Sequence, residues 1–275
     1  MSQTDSTPLP EFSFPLFVPG DRPERIPKAW ASGADAIIID LEDAVAAADK
    51  DKARSGIGAA MVGRPDVKTY LRINSVETEW YDDDLKLFTT LDFDGVVLPK
   101  AETVGTLQSL RSKLHPYKKI IALIESAKGL ANVRSIAPEC DRIAFGSIDY
   151  CADLGIQHTQ TALLHARSEI VLASRLAGLV GPLDGVTTAV SNIPVIKADA
   201  SHSSELGFTG KLLIHPAQIS PAREGFVPSK SEILWAQQVM NSGADAGAVS
   251  IDGLMVDGPV LVRARAILDR KEALT

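Results

Sequence analysis

Charged side chains stand where apolar runs of the chain stop. Asp40, Glu42 and Asp43 fall at the end of one run, Arg72 and Asn74 at the end of the next, then Lys100 and Glu102. Glu125, Asp149 and His215 follow three further runs. Carboxylates gathered at one mouth can hold a hard cation, and Mg²⁺ typically takes one or two of them, leaving its other positions to water and substrate. Glu125 and Asp149 are the strongest metal candidates, because the strands they follow should be neighbours. Zinc is disfavoured: the chain has no His-Glu-x-x-His or paired-Cys motif, and His115, His158, His165, His202 and His215 are scattered. The planar fork of Arg72 suits a substrate carboxylate or a developing enolate, and equally a buried salt bridge to Glu42 or Glu125. Any one of these charges alone reads as a solvated loop residue or a helix cap, as Asp43 and Asp149 could be. Their recurrence at one end of successive runs, with mostly Gly, Asp and Lys at the other, points to a site.

The elements that would position them read as an α/β fold. Apolar runs at Pro15–Val18, Ala36–Leu41, Thr69–Ile73, Gly95–Leu98, Ile120–Ile124, Arg142–Phe145, Gly185–Thr188 and Lys211–Ile214 are nearly continuous, as parallel strands covered on both faces are. Helical periods lie between them, as at Glu24–Ser32, Asp49–Val62, Thr103–Leu114, Ser126–Ile136 and Thr161–Leu179. Eight strands alternating with helices predict a (β/α)8 TIM barrel, whose active sites sit at the C-terminal strand ends. An open doubly wound sheet is the alternative, but the first turn, Phe17-Val18-Pro19-Gly20-Asp21, lacks the Gly-rich phosphate loop. Residues 1–14 are expected to be a flexible tail, 15–226 the barrel, and 227–275 a helical extension packing on a neighbouring subunit.

The chain has 275 residues, 45% hydrophobic and 23% charged, with a net charge of −7. That acidity argues against nucleic acid as a partner. Two cysteines, Cys140 and Cys151, do not make a disulfide framework. The first basic residue is Arg22 and no apolar run is of membrane-spanning length, so a cytoplasmic protein without membrane partners is expected.

At these residues the chain resembles the citrate lyase β-subunit-like branch of the HpcH/HpaI aldolase family. The resemblance runs from about Pro15 to Leu274 and rests on Leu16-Phe17-Val18-Pro19-Gly20-Asp21-Arg22-Pro23-Glu24-Arg25, on Asp40-Leu41-Glu42-Asp43-Ala44-Val45 with Lys52 and Arg54, and on Leu71-Arg72-Ile73-Asn74. Leu98-Pro99-Lys100-Ala101-Glu102, Ile124-Glu125-Ser126-Ala127-Lys128-Gly129, Phe145-Gly146-Ser147-Ile148-Asp149, Ile214-His215-Pro216 and Met255-Val256-Asp257-Gly258-Pro259 complete it. The resemblance implies Mg²⁺ on Glu125 and Asp149, a substrate arginine at Arg72, and substrate contacts near Glu42, Asp43 and Lys100. It places Phe17, Pro19, Arg22 and Arg25 near coenzyme A, and Asp257 as a general base acting in an adjacent protomer of a homotrimer or hexamer. The implied reaction is cleavage or condensation of a 3-hydroxyacyl-CoA, such as malyl- or citramalyl-CoA, to acetyl-CoA and an α-keto acid.

Two departures bear on substrate choice. The residue before the metal aspartate is often acidic in such proteins but is Ile148 here, and Ala189-Val190-Ser191-Asn192-Ile193-Pro194 replaces a more acidic stretch. Rival readings are an aldolase on free keto acids, a citryl thioester lyase subunit of a citrate lyase complex, and an inactive scaffold. The aldolases usually carry a histidine where Asp43 stands, which favours the lyase branch.

Overall fold

A computed structural model describes residues 10–242, 249–251 and 254–274. Seven of the eight apolar runs overlap a strand, and the seventh strand lies just ahead of its run: β1 (Pro15–Pro19), β2 (Ala36–Asp40), β3 (Lys68–Arg72), β4 (Gly95–Leu98), β5 (Lys119–Ile124), β6 (Arg142–Phe145), β7 (Leu183–Asp184) and β8 (Gly210–Lys211). All pair in parallel, each with the next in sequence. A parallel bridge between Leu16 and Leu213 closes β8 onto β1, with Phe17 N–H donating to Leu213 O at 2.8 Å. This is the expected (β/α)8 barrel.

The helices are α1 (Ile26–Trp30), α2 (Lys50–Ala60), α3 (Tyr81–Thr90), α4 (Val104–Lys113), α5 (Ala127–Ala131), α6 (Val133–Ile136), α7 (Ser147–Leu154), α8 (Gln160–Leu176), α9 (Ile193–Glu205), α10 (Ile219–Phe226), α11 (Lys230–Met240) and α12 (Gly258–Leu274). Side-chain oxygens of Thr103, Ser126, Thr159, Asn192 and Ser229 cap the starts of α4, α5, α8, α9 and α11 by accepting orphan N–H groups. The helical period read through Ser126–Ile136 breaks at Asn132, whose side chain donates to Glu102 O at 2.9 Å.

Strand parity divides the core in two. Ile37, Ile39, Leu71, Ile120, Ala122 and Ile124 face outward, into a large cluster with the helices. Ala36, Ile38, Tyr70, Val97, Ile121, Leu123, Ala144, Leu183 and Leu212 face inward and fill the barrel. Successive side chains of a strand point to opposite faces, so the next inward positions on β2, β3 and β5 belong to Asp40, Arg72 and Glu125.

The N-terminal boundary differs from expectation. Residues 12–14 were assigned to the tail, yet Phe12 and Phe14 are buried, Phe12 within the barrel interior and Phe14 among the outer core. Ser13 O accepts Lys211 N–H at 2.8 Å, and the N–H groups of Ser13 and Phe14 donate to Asp35. Residues 1–9 of the expected tail lie outside the described residues. Strand β7 also ends at Asp184, immediately before the expected run Gly185–Thr188. Gly185 O accepts Lys211 Nζ at 2.6 Å in place of a ladder partner, and a Cβ there would fall 2.1 Å from Ser147 Oγ.

Beyond α10 the expected helical extension consists of α11 and α12, joined in part by an antiparallel hairpin of β9 (Val249–Ile251) and β10 (Leu254–Val256). Ala236, Val239, Val256, Ala264 and Ile267 give this extension its own small core. It meets the barrel through Arg270, which donates to Ser204 Oγ at 3.0 Å, and through Leu274 against the main core. Cys140 and Cys151 are buried and free. Among the described residues no helix is long and apolar enough to cross a membrane.

The floor of the barrel is closed by Arg142. Its buried guanidinium donates to Phe12 O (2.6 Å), Gly181 O (3.0 Å) and Thr209 Oγ1 (3.0 Å), and stacks on the Phe12 ring at 4.9 Å. Replacing it with Leu strands those buried acceptors. Arg142→Leu is expected to cost about 2–4 kcal/mol in urea unfolding while leaving ligand affinity at the opposite mouth unchanged. A loss below about 0.5 kcal/mol would show the floor to be held elsewhere.

Candidate active site

Asp40 and Arg72 are register partners on adjacent strands, both pointing into the mouth. The guanidinium grips Asp40 with two parallel bonds, Nε to Oδ1 at 2.7 Å and Nη2 to Oδ2 at 2.6 Å. Nη1 turns to Asp43 Oδ2 at 3.2 Å and stands 2.9 Å from Glu42 Oε2, an ion-pair contact without the alignment of a hydrogen bond. Phe17 covers the guanidinium face at 4.8 Å. Burial opposes the charge, but Asp40, Glu42 and Asp43 outweigh it and hold the Arg72 pKa above its usual value. Asp40 is therefore the arginine's main anchor, a role the sequence reading left to Glu42 or Glu125.

A second network fixes the two loops that carry these groups. Lys50, buried at the start of α2, donates to Leu41 O (2.6 Å), Glu42 O (2.7 Å) and Asn74 Oδ1 (2.7 Å). Asn74 in turn donates to Leu41 O and to Asp84, and Arg54 pairs with the other oxygen of Asp84 at 2.8 Å. The ends of β2 and β3 are thus tied to α2 and α3 by charge-assisted bonds. Lys52, which the sequence motif singled out, is exposed; Lys50 carries this role.

Glu125 occupies the inward position after β5, only 4% exposed. Its Oε1 accepts the Lys100 N–H at 2.7 Å, while Oε2 is buried without a hydrogen-bond partner. Lys100 adopts φ +47°, the only positive φ of a non-glycine residue among those described, and its exposed side chain makes no bond to Glu125. Such backbone costs energy and persists where the surroundings impose it, here turning an N–H onto a carboxylate. On the opposite flank only glycine fits at position 146, since a Cβ there would fall 2.6 Å from Glu125 Oε2. Burial pushes the Glu125 pKa up to about 8, with Glu42 adding to it and the Lys100 N–H and Arg72 opposing. Burial likewise raises Glu42 to about 7, against the pull of Arg72. Asp149, in the first turn of α7, is raised by burial and then by Asp43.

Asp40, Asp43, Arg72, Glu125 and Asp149 line one open cavity of about 360 Å³ at the C-terminal strand ends. One cation stands among four carboxylates there, so the cavity attracts positive charge. Among the described residues no three His, Cys, Asp or Glu side chains form a closed metal cage. A Mg²⁺ site does not require one, because water and substrate complete its octahedron. The orphaned Glu125 Oε2 beside Asp149 fits such an ion.

The other expected residues divide. Phe17 and Pro19 line the cavity. Arg22 and Arg25 are exposed on the turn after β1 and do not line it; nor does Asp257, which accepts Val260 N–H at the start of α12. Lys100 acts through its main chain, and Glu42 lies beneath Arg72. His215 caps the turn at Pro216–Gln218, its Nδ1 accepting Ala217 N–H at 3.1 Å. The Lys50 and Lys100 roles were missed because neither shows in residue type: one is a lysine between Asp49 and Asp51 in a charged stretch, the other a backbone angle.

Fold and cavity define a (β/α)8 protein with a carboxylate-rich cavity at the C-terminal ends of its strands. The profile of the HpcH/HpaI aldolase/citrate lyase family matches residues 13–216, and the chain belongs to that family. It is 37% identical to the citrate lyase subunit beta-like protein of Deinococcus radiodurans, covering 93% of this chain and 96% of that one. It is 33% identical to a (3S)-malyl-CoA thioesterase of Cereibacter sphaeroides, covering 94% of each. The crystal structure of CitE from Mycobacterium tuberculosis in complex with magnesium, acetoacetate and coenzyme A superimposes with a TM-score of 0.85 at 32% identity, covering 95% of this chain and 98% of that one.

The raised carboxyl pKa values have a consequence for the metal-free protein. A carboxyl held above its ordinary value stabilises the fold below about pH 4.5 and withdraws that stability as the pH passes about 7 for Glu42 and about 8 for Glu125. In EDTA the melting temperature should fall between pH 5.5 and 8.5, and Glu125→Gln should flatten most of that fall. A wild-type curve as flat as the variant's would contradict the assignment.

Proposed function

We propose that the chain is a Mg²⁺-dependent carbon–carbon lyase acting on a 3-hydroxyacyl-CoA of the malyl- or citramalyl-CoA type, in the cleavage or the condensation direction. The observation that carries this is the orphaned, buried Glu125 Oε2 in a cavity with Asp149 and a charged Arg72. Mg²⁺ held by Glu125 and Asp149 would supply positive charge that offsets the buried carboxylates and stabilises negative charge developing on the substrate.

The protein's own groups account for the rest. Arg72 is kept charged and immobile by Asp40, so its field is in place before the bond breaks, the condition under which electrostatic stabilisation is most effective. In cleavage a base takes the proton of the substrate's 3-hydroxyl. The hydroxyl carbon becomes the carbonyl of a 2-oxo acid, and the electrons of the broken bond pass to the acetyl-CoA enolate, which a proton then quenches. Asp43 is engaged by Arg72 and is poorly placed to be that base. Asp257, the base that the family resemblance implies, is our choice, supplied by a neighbouring subunit, since no described residue of the C-terminal extension lines the cavity of its own chain. A homotrimer or hexamer would bring it in and give α11 and α12 a purpose. Arg22 and Arg25, exposed beside Phe17 and Pro19, are the candidates for the phosphates of coenzyme A. The relatives named for citrate lyase, malyl-CoA hydrolysis and a coenzyme A complex support this reading.

Activity towards malyl- or citramalyl-CoA should disappear with EDTA, return with Mg²⁺, and fall at least about 10²-fold in Glu125→Ala. Activity that survives chelation removes the metal from the account. Inactive Asp257→Ala and inactive Arg72→Ala chains, mixed and allowed to exchange subunits, should recover part of the activity. Exchanged oligomers that stay inactive would place the base elsewhere.

A further inference from the structure

The mouth is divided by strand. The ionic groups stand on β2, β3 and β5 and at the start of α7, whereas the arc from β7 through β8 to β1 offers Val186, Leu212, Ile214 and Phe17. Ile148, the residue before Asp149, faces the cavity beside that arc. Ile148 and Ile214 line the cavity while remaining 37% and 41% exposed, so a ligand seated there would cover their apolar surface. Among the described lining residues Arg72 is the only cation, and its fork is already filled by Asp40, with Asp43 on its remaining edge. The buried Lys211, on β8, is spent on Asp184 and Asp199 and does not reach the cavity.

We propose that the apolar arc formed by Ile148, Val186 and Ile214 is a specificity subsite for a small alkyl group, so that the 2-oxo acid made or consumed is of the pyruvate type. This rests on the lyase reading above and names its substrate class. The ionic half of the mouth takes the carboxylate, and the methyl on the carbonyl carbon packs on the arc. Glyoxylate carries hydrogen at that position and forgoes the packing; a methyl-sized group in an apolar pocket is worth about tenfold or more in discrimination. Oxaloacetate would press a second carboxylate against Ile148 and Ile214, where no described lining residue but the engaged Arg72 is a cation, which is costly.

The test is condensation of acetyl-CoA with pyruvate, glyoxylate and oxaloacetate by the Mg²⁺-loaded protein. It is run beside calorimetric binding of the three acids to the same protein without acetyl-CoA. Pyruvate should lead by about tenfold in kcat/KM and in affinity. Ile148→Ser and Ile214→Ser, both at partly exposed positions that tolerate exchange, should each reduce that preference several-fold, chiefly by weakening pyruvate. Glyoxylate or oxaloacetate equal to or above pyruvate overturns the subsite, as does an equal loss for all three acids in both variants. The two readings fail separately. No condensation with any acid sinks the lyase reading, while a pyruvate preference in binding that the serine variants erase still upholds the subsite.

Discussion

The pairing of Arg72 with Asp40 is the constraint on which the site depends. Both residues are at inward positions at the ends of neighbouring parallel strands, in register, and joined by two bonds of 2.6–2.7 Å. A guanidinium so deep in the mouth is tolerable only with such a partner, since an isolated buried charge costs far more than its packing returns. The pair also fixes what the arginine can do. Its fork is committed to the protein, which leaves a fixed positive field in the mouth and not a free clamp. Lys50 and Asn74 extend the constraint by tying the loops after β2 and β3 to the same frame.

Once Arg72 is neutralised by Asp40, the remaining carboxylates of the mouth have no cation of their own. Glu125 is held from one side by the Lys100 N–H and from the other by the absence of a side chain at Gly146, leaving one oxygen without a partner. Its raised pKa expresses the same imbalance in protons. Proton and divalent cation are alternative solutions to one electrostatic problem. The fold sets that problem through strand parity, and the proposed Mg²⁺ is the solution that would make the cavity chemically active.

Much of this was legible in the residues. Continuous apolar runs predict buried parallel strands, and charges at one end of each predict the catalytic face, so Arg72, Glu125 and Asp149 could be chosen before any coordinates. Strand parity explains why these groups meet in one cavity: Asp40, Arg72 and Glu125 each continue the inward face of a strand. What stayed hidden depends on tertiary context. Phe12 and Phe14 look like part of a polar leader, but the barrel floor around Arg142 recruits one and the outer core the other. Strand β7 lies ahead of the run read for it, and Gly185 O is taken by Lys211 Nζ, a contact 26 residues distant in sequence. Lys100 matters through φ, which its residue type does not encode. Asp257 came from resemblance alone, and within one chain it caps a helix away from the cavity.

The claim that Glu125 trades a proton for Mg²⁺ is open to one direct measurement, calorimetric titration of the metal-free protein with Mg²⁺ at pH 7 in two buffers of different ionisation heat. With the carboxyl held near pKa 8, binding should release about one proton per ion, the release should fade by pH 9.5, and Glu125→Gln should abolish it together with most of the affinity. Mg²⁺ bound without proton release at pH 7, or bound equally well by Glu125→Gln, would contradict the account.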